Sequence, residues 1–306
     1  MQDREAPTAR MRDRQLALLG FNFVLDMAGD GIPGLKPLES LLMMAVNQAN
    51  IAPLTRDPAV RARHGALETP APDDLRRPVS IRAVAASMRM PYETARRNIR
   101  RLESHGVCVT SDSGVVVPAS FMLTEAYFEA ARLGHERLLT LYRVLRARQL
   151  LEPLPAPNYE ESEPPVRAAV RLMSDFLLRS ADAVVGRTGD LVSGLVILPL
   201  LTAAAAAEEA RPIPFSAAAL ARRTHLPAET VRRHVVTLVE RGLCVSGPGG
   251  LRLADPALAT PAWRGLMHEN AVAVQRLYAG LAERGVVAVW ERMAGMDAAP
   301  SAQGAA

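Results

Sequence analysis

Aromatic residues and cysteines are scarce in this chain. Phe, Trp and Tyr make up 4% of its residues, so the core must consist mainly of Leu, Val, Ala and Met. Because Ala, Leu, Met and Arg are good helix formers, this composition favours a helical fold. The two cysteines, Cys108 and Cys244, have no CxxC neighbour, so the common sulfur-based metal and redox motifs are excluded.

Targeting and membrane segments are also lacking. Residues 1–15 are polar and have no apolar core of the kind a secretory signal needs. The longest uncharged run, 191–207, is at the short limit for a membrane span and contains Gly194 and Pro199. We interpret it as a buried helix and expect a cytoplasmic protein that does not enter a membrane.

Motifs for catalysis or cofactor binding are missing. The six histidines show no ligand spacing, and there is no P-loop, nucleophile elbow or pair of carboxylates in one motif. Residues 29–34 read GDGIPG and match GxGxxG, but residues 189–194 read GDLVSG and lose the middle glycine. We expect both to be turns, with Asp30 and Asp190 as N-caps. The expectation is a protein without enzymatic activity, metal or cofactor.

Arginine is what the chain has in excess. Lys and Arg together number 36 against 32 Asp and Glu, nearly all of the 36 are Arg, and the net charge is +4. This balance is a mild indication of an anionic partner, and the placement of the charges matters more than their sum.

The chain contains an internal duplication. Residues 78–117 align with 214–253 at a constant offset of 136 without a gap, and 14 of the 40 positions are identical. Both copies keep Glu-Thr-x-Arg-Arg, at 93–97 and 229–233. Further upstream the offset becomes 160, so the first copy carries about 24 extra residues. Such self-similarity indicates two structural units.

We therefore predict two units and a linker. The first unit covers 1–151, with a core at about 78–118 and an insert at about 51–77. A Pro/Glu-rich linker follows at 152–165, since this composition is typical of an extended, solvated segment. The second unit covers 166–295, with a core at about 214–254. Residues 296–306 are mostly small and are predicted to be a disordered tail.

Each core is predicted to contain a short helix, a longer helix and a hairpin. Ser80 and Ser216 are favoured N-caps of the short helices, because a serine hydroxyl can accept a free backbone N–H. Pro91 and Pro227 open the longer helices, whose buried stripes are Ala95, Ile99 and Leu102 in one copy and Val231, Val235 and Leu238 in the other. Gly106 and Gly242 end them, and two short strands follow. Long amphipathic helices are expected on either side, at about 10–28, 119–150, 166–187 and 262–295.

This order of elements resembles the winged helix-turn-helix domains of bacterial transcription regulators. The Glu-Thr-x-Arg-Arg run is similar to the recognition helix of the catabolite-activator family, and GntR and IclR regulators share the general pattern. The resemblance covers about 40 residues in each unit. It implies a mainly α fold with small β-wings, two tandem winged helix-turn-helix units flanked by amphipathic helices, and binding to double-stranded DNA.

The resemblance also implies roles for individual residues. Carried over by position, Glu93, Arg97, Glu229 and Arg233 would contact bases, since Glu can accept from cytosine and Arg can donate twice to guanine. Contacts to phosphates position a protein on DNA without specifying its sequence. The candidates for such contacts are Thr94, Arg96, Thr230 and Arg232. Tyr92 and Arg100 complete the outward face of the first helix, and Arg222 and Arg252 are further basic candidates in the second copy.

The two copies are unequal. Arg100-Arg101 is replaced by Val236-Thr237, and Tyr92 by Ala228, whereas Arg222-Arg223 stands where the first copy has Ala86-Ser87. We expect two related but unequal half-sites, or one strong and one weak reader.

Other classes of function stay open. The winged helices could serve as docking modules of a protein scaffold, or a small effector could bind among the helices near 191–207. The flanking helices could pack the two units into a pseudo-dimer within one chain, or they could pair two chains. We favour the packing within one chain, with a homodimer as a further level of assembly.

Overall fold

The computed structural model is mainly helical and describes residues 5–206, 214–254 and 260–298. Two small antiparallel hairpins, β1–β2 and β3–β4, are its sheets. The predicted class, mainly α with small β elements, is confirmed at this level. The elements are α1 (Glu5–Gly29), α2 (Pro37–Ile51), α3 (Pro58–Arg63), α4 (Ile81–Ser87), α5 (Tyr92–Ser104), β1 (Val109–Ser111), β2 (Gly114–Val116), α6 (Glu125–Ala147), α7 (Val166–Thr188), α8 (Leu191–Ala206), α9 (Ala217–Thr224), α10 (Ala228–Glu240), β3 (Cys244–Gly247), β4 (Gly250–Leu253), α11 (Pro261–Glu283) and α12 (Val286–Ala298).

Equivalent positions start equivalent helices. Ser80 and Ser216 each accept a hydrogen bond from the third residue after them, at 3.1 Å in both copies. Thr124 and Thr260, also 136 residues apart, cap α6 and α11 in the same way. These side chains satisfy backbone N–H groups that the first helical turn leaves without a partner. The predicted serine caps are therefore confirmed, while Pro91 and Pro227 are N-caps and lie one residue before their helices.

The two hairpins close by the same device. Val79 forms an antiparallel bridge with Val115, and Phe215 forms one with Leu251. The residue before each serine cap therefore pairs with the second strand of its hairpin. A Cβ on Gly114 would lie 2.7 Å from the Val79 carbonyl oxygen, and one on Gly250 would lie 2.6 Å from that of Phe215. Both glycines also have a positive φ, so any larger residue would strain the backbone and push this edge away.

The first helix of each unit packs on the other unit. α1 lies against α8, α9 and α11, all later in the chain, while α7 lies against α2 and α6. The contacts are reciprocal: Asp26 of α1 pairs with Arg223 at 3.0 Å, and Asp182 of α7 pairs with Arg89 at 2.7 Å. The predicted contact between flanking helices of the two units within one chain is thus present.

A buried polar chain joins three of these helices. Asn270 of α11 donates to the Ala17 carbonyl in α1 at 2.9 Å, and its side-chain oxygen accepts from Ser180 of α7 at 3.1 Å. Asn270 is 2% exposed. Because a buried amide without partners would be costly, these bonds favour one relative position of the three helices. Nearby, Tyr142 and Tyr278, which occupy equivalent positions, contact each other with ring centroids 5.8 Å apart.

Several local predictions need correction. The helix expected over 262–295 is two helices, because Gly285 adopts a left-handed φ of 80° between α11 and α12. The helix expected over 119–150 starts later, at Glu125. Asp190 does cap α8, accepting from the Ser193 N–H at 2.9 Å. Asp30 instead pairs with Arg137 at 2.7 Å, and Lys36 is the N-cap of α2.

The uncharged run 191–207 lies inside the protein as far as it is described. Most residues of α8 are buried, Pro199 included. Within the described ranges no single helix is long and apolar enough to cross a membrane, and only α7 and α8 together, bent by 93°, would have the length and composition. At the other end of the chain, α12 continues through Ala298 into the predicted tail, and residues 299–306 lie outside the described part.

Replacement of Phe21 by alanine should destabilise the whole molecule. Phe21 of α1 is fully buried in the large core that also holds both tryptophans, Trp263 and Trp290. We expect F21A to lower the free energy of unfolding by about 3–5 kcal/mol, measured by urea unfolding with tryptophan fluorescence. Met11, on the same helix but 55% exposed, supplies the control M11A, with a change within about 0.5 kcal/mol. An unchanged midpoint for F21A would contradict the packing of α1 on the second unit.

Candidate nucleic-acid interface

The helices α5 and α10 separate apolar and charged side chains sharply. Ala95, Ile99 and Leu102 of α5 are fully buried, as are Val231 and Leu238 of α10, while Val235 is half-buried. Buried residues at this spacing turn the opposite face of each helix to solvent. The predicted buried stripes are confirmed, with Val235 less deeply buried than expected.

The first turn of each helix carries an ion pair between Glu and Arg. Glu93 and Arg96 approach to 3.3 Å, and Glu229 and Arg232 approach to 2.8 Å with two hydrogen bonds. The hydrogen bonds from Arg232 lower the pKa of Glu229, so this carboxylate stays ionised. An ionised Glu can only accept hydrogen bonds, which suits it to a donor such as the cytosine amino group.

The next arginine in each motif projects into solvent. Arg97 and Arg233 are both exposed, one position beyond the arginine that pairs with Glu. Thr94 and Thr230 are half-buried at the edge of the same face. In the second copy Arg233 also acts electrostatically on Glu229. Guanidinium and carboxylate groups are both able to form hydrogen bonds with base edges in a major groove.

The remaining predicted residues lie around these two faces. Tyr92 is 44% exposed and Arg100 is exposed one turn beyond Arg96. Arg222 is exposed near the end of α9, and Arg252 is half-buried on β4, opposite Val245. Each candidate therefore lies on the short helix, the longer helix or the hairpin of its own unit, and none is in the core.

Sequence reasoning missed one basic residue of the first face. Arg82 of α4 is exposed, and its guanidinium lies over the Tyr92 ring, 6.0 Å from the ring centre. The pairing joins α4 to the first turn of α5. Because its counterpart is Ala218, comparison of the copies gave no indication of it.

Other arginines near the faces have structural partners. Arg89 and Arg223 are held by Asp182 and Asp26, and Arg101 pairs with the buried Glu39 at 3.2 Å. Arg241 donates to the carbonyl oxygens of Arg187 and Thr188 at the end of α7. These contacts fix the two faces relative to α1, α2 and α7.

Comparisons with known proteins give no relative for this chain: no family model, no curated protein and no solved structure matches it. Among the described residues, no three His, Cys, Asp or Glu side chains lie close enough together to hold a metal ion.

The cysteines should be unreactive in the folded protein. Both are buried, and burial raises the pKa of Cys108 and Cys244 to about 12. The thiolate, which is the reactive form, appears only as the pH rises toward that value, so about one thiol in ten thousand is ionised at pH 8. We expect a thiol reagent at pH 8 to label the native protein at least about a thousandfold more slowly than the urea-unfolded chain. Complete native labelling within minutes would instead indicate reactive, redox-capable thiols.

Proposed function

We propose that this protein is a sequence-specific transcription regulator that binds double-stranded DNA through two unequal winged helix-turn-helix readers in one chain. The observation that carries the proposal is the repeated placement of Glu-Thr-x-Arg-Arg. In both copies it occupies the exposed first turn of the longer helix, directly after a serine-capped short helix and before a hairpin. A groove-reading helix presents its N-terminal residues to the bases in this way.

Each reader would divide its work among neighbouring side chains. Arg97 and Arg233 would donate to guanine, and Glu93 and Glu229 would accept from cytosine. Arg96 and Arg232, drawn toward these carboxylates, would reach the DNA backbone together with Thr94 and Thr230. Arg252, on the second strand of its hairpin, would contact the backbone or the minor groove beside the second helix.

The readers would differ in the positions of their charges. Around α5 lie Arg82, Tyr92 and Arg100, whereas the corresponding positions of the second copy are Ala218, Ala228 and Val236. Val236 is 48% exposed, so the second face carries an apolar side chain where the first carries a cation. The second copy in turn has Arg222 and Arg252 where the first has Ala86 and Val116, so we expect the two readers to place their cations differently on the DNA.

A ligand-responsive regulator is the second candidate, favoured by an apolar cleft. It lies between α1, α2, α7 and α8, where α8 contributes Leu191, Gly194, Leu195 and Leu198. The predicted effector region near 191–207 includes these positions. α2 packs on α5, and α8 packs on α10. A molecule in this cleft would therefore contact the helix behind each reader.

DNA binding should weaken steeply with salt. Arg96, Arg100, Arg222, Arg232 and Arg252 are candidate phosphate contacts, and each would release about 0.9 counterion, giving a slope of about −4 to −5 in log K against log salt concentration. Fluorescence anisotropy with mixed genomic fragments, between about 50 and 200 mM KCl, measures this slope. Absence of binding at the lowest salt would reject the proposal and favour a protein scaffold.

Alanine at the projecting arginines should relax sequence preference. We expect R97A and R233A each to weaken binding to a selected site by about 1–3 kcal/mol while affecting unrelated DNA much less, because base contacts are lost. The selected site would come from repeated enrichment of random duplexes. Arg143, exposed on α6, supplies the control R143A. Equal losses on selected and unrelated DNA would assign these arginines to phosphates, and unchanged affinity would remove them from the interface.

A further inference from the structure

A second concentration of arginine lies inside the molecule. Four arginines, Arg61, Arg76, Arg167 and Arg171, line a cavity together with His64, and no Asp or Glu is among the lining residues. We call it the arginine cavity. It lies between the insert at 51–77, the end of α2, the start of α6 and the first two turns of α7, so both units contribute to it.

Two of the four arginines have a structural role. Arg167 donates to the carbonyl oxygens of Ala66, Leu67 and Met122. Arg76 donates to the Ala71 carbonyl at 3.0 Å and the Asn47 side chain at 3.1 Å. These bonds hold the insert against α2 and α7, and they place two cationic groups permanently at the wall of the cavity.

The other two have donors to spare. The Nε of Arg61 is buried and has no hydrogen-bond partner in the described structure. Arg171 lies one helical turn beyond Arg167. Its guanidinium group is stabilised electrostatically by Asp175 and destabilised by the cations Arg61 and Arg284. Arg284, 3% exposed, also has two buried nitrogens, Nε and Nη2, without partners. Buried donors left in this state cost free energy that a bound acceptor would recover.

Burial acts against this concentration of charge. It lowers the pKa of Arg76, Arg167 and Arg171, and neighbouring arginines lower those of Arg76 and Arg171 further. Arginine nevertheless stays protonated in proteins. Several guanidinium groups therefore share a partly buried space as cations, an arrangement that ordinarily includes a counterion.

Nearby carboxylates compensate only part of this charge, from outside the lining. Asp73 is 3.4 Å from Arg76 and has a side chain 56% exposed, while Glu161 is 3.3 Å from Arg284. Glu68 acts on Arg167 from a distance. Asp175 faces Arg171, but burial raises its pKa and disfavours its charged form. Arg61 has no carboxylate within ion-pair distance in the described structure.

We propose that the arginine cavity is a binding site for one small oxyanion, a phosphate or a short carboxylic acid, held chiefly by Arg61 and Arg171. Planar guanidinium groups match the paired oxygens of both chemistries. The cavity volume of about 70 Å³ is room for roughly five waters at ~10–15 Å³ each. That size suits inorganic phosphate or malonate. The second copy lacks the insert, so we expect one site per chain.

The site is placed to influence the first reader, an extension that rests on the proposed function. Arg171 and Asp182 both belong to α7, and Asp182 holds Arg89 in the turn directly before α5. An anion that draws the insert toward the start of α7 would bias the position of that helix, and with it the support of α5.

Isothermal titration calorimetry tests the proposal without DNA. Inorganic phosphate, sulfate, malonate and acetate are titrated into the full chain at pH 7.5, with KCl holding the ionic strength constant. We expect one site per chain, and binding at least tenfold tighter for a doubly charged anion than for acetate. Comparison of the affinities for phosphate and sulfate with that for malonate distinguishes a phosphate site from a carboxylate site. No heat with any of the four anions overturns the proposal.

Variants assign the site to its residues. R61Q and R171Q should each weaken anion binding at least tenfold, whereas R143Q, which removes an exposed arginine of α6, should leave it within twofold. R61Q breaks no ion pair of the described structure, so its melting temperature without anion should match that of the parent and show that it folds. Unchanged affinity in a folded R61Q overturns the proposal even if R171Q does not fold.

The extension to the reader has its own readout. DNA affinity is measured with and without saturating phosphate at constant ionic strength, in the parent, R143Q and R61Q. A change that persists in R143Q and is lost in R61Q supports coupling, and equal changes in all three indicate competition with DNA as a simple salt. If the chain does not bind DNA, the proposed function fails while the calorimetric result stands.

Discussion

The exchange of first helices is the contact on which the rest of the structure depends. α1 packs into the core of the second unit, while α7 lies against α2 and α6 of the first, and the ion pairs Asp26–Arg223 and Asp182–Arg89 cross between the units. Exposed ion pairs are worth little alone, so the contacts of α1 with α11 and α8 and of α7 with α2 and α6 must supply most of the stability of this exchange. The exchange also links the two charged faces, because Arg89 in the turn before α5 and Arg223 of α9 are each ion-paired to a helix from the other half of the chain.

Duplication within one chain permits differences that a symmetric dimer cannot have. Both copies have the same local backbone features: serine caps, glycines at the hairpins, and a residue with left-handed φ at the equivalent positions Arg89 and His225. Apart from the Glu-Thr-x-Arg-Arg run, the charges around the two faces differ, and the insert at 51–77 exists once. A dimer of identical chains would carry two arginine cavities and two equal faces, whereas in this chain the two faces differ and the second copy lacks the insert that lines the cavity.

Local rules predicted the two cores well and the assembly poorly. Helix α5 could be placed from its apolar spacing and from Gly106, because caps and periodicity act over a few residues. The partner of α1 could not, since an amphipathic stripe shows that a helix packs but not on what. Asp30 pairs with Arg137, more than 100 residues away in the chain, and so does not cap a helix as its counterpart Asp190 does. The arginine cavity escaped notice for the same reason: Arg61 and Arg171 are distant in sequence and belong to no motif.

The late partner of α1 has a consequence during synthesis. α1 is made first, but its main partner, α11, begins only at Pro261. At typical translation rates of about 5–20 residues per second, the apolar face of α1 waits roughly 10–50 s for that partner. A nascent chain would expose Phe21 and its neighbours for most of this time, so we expect the ribosome-bound protein to depend on chaperones and a chain truncated before α11 to aggregate.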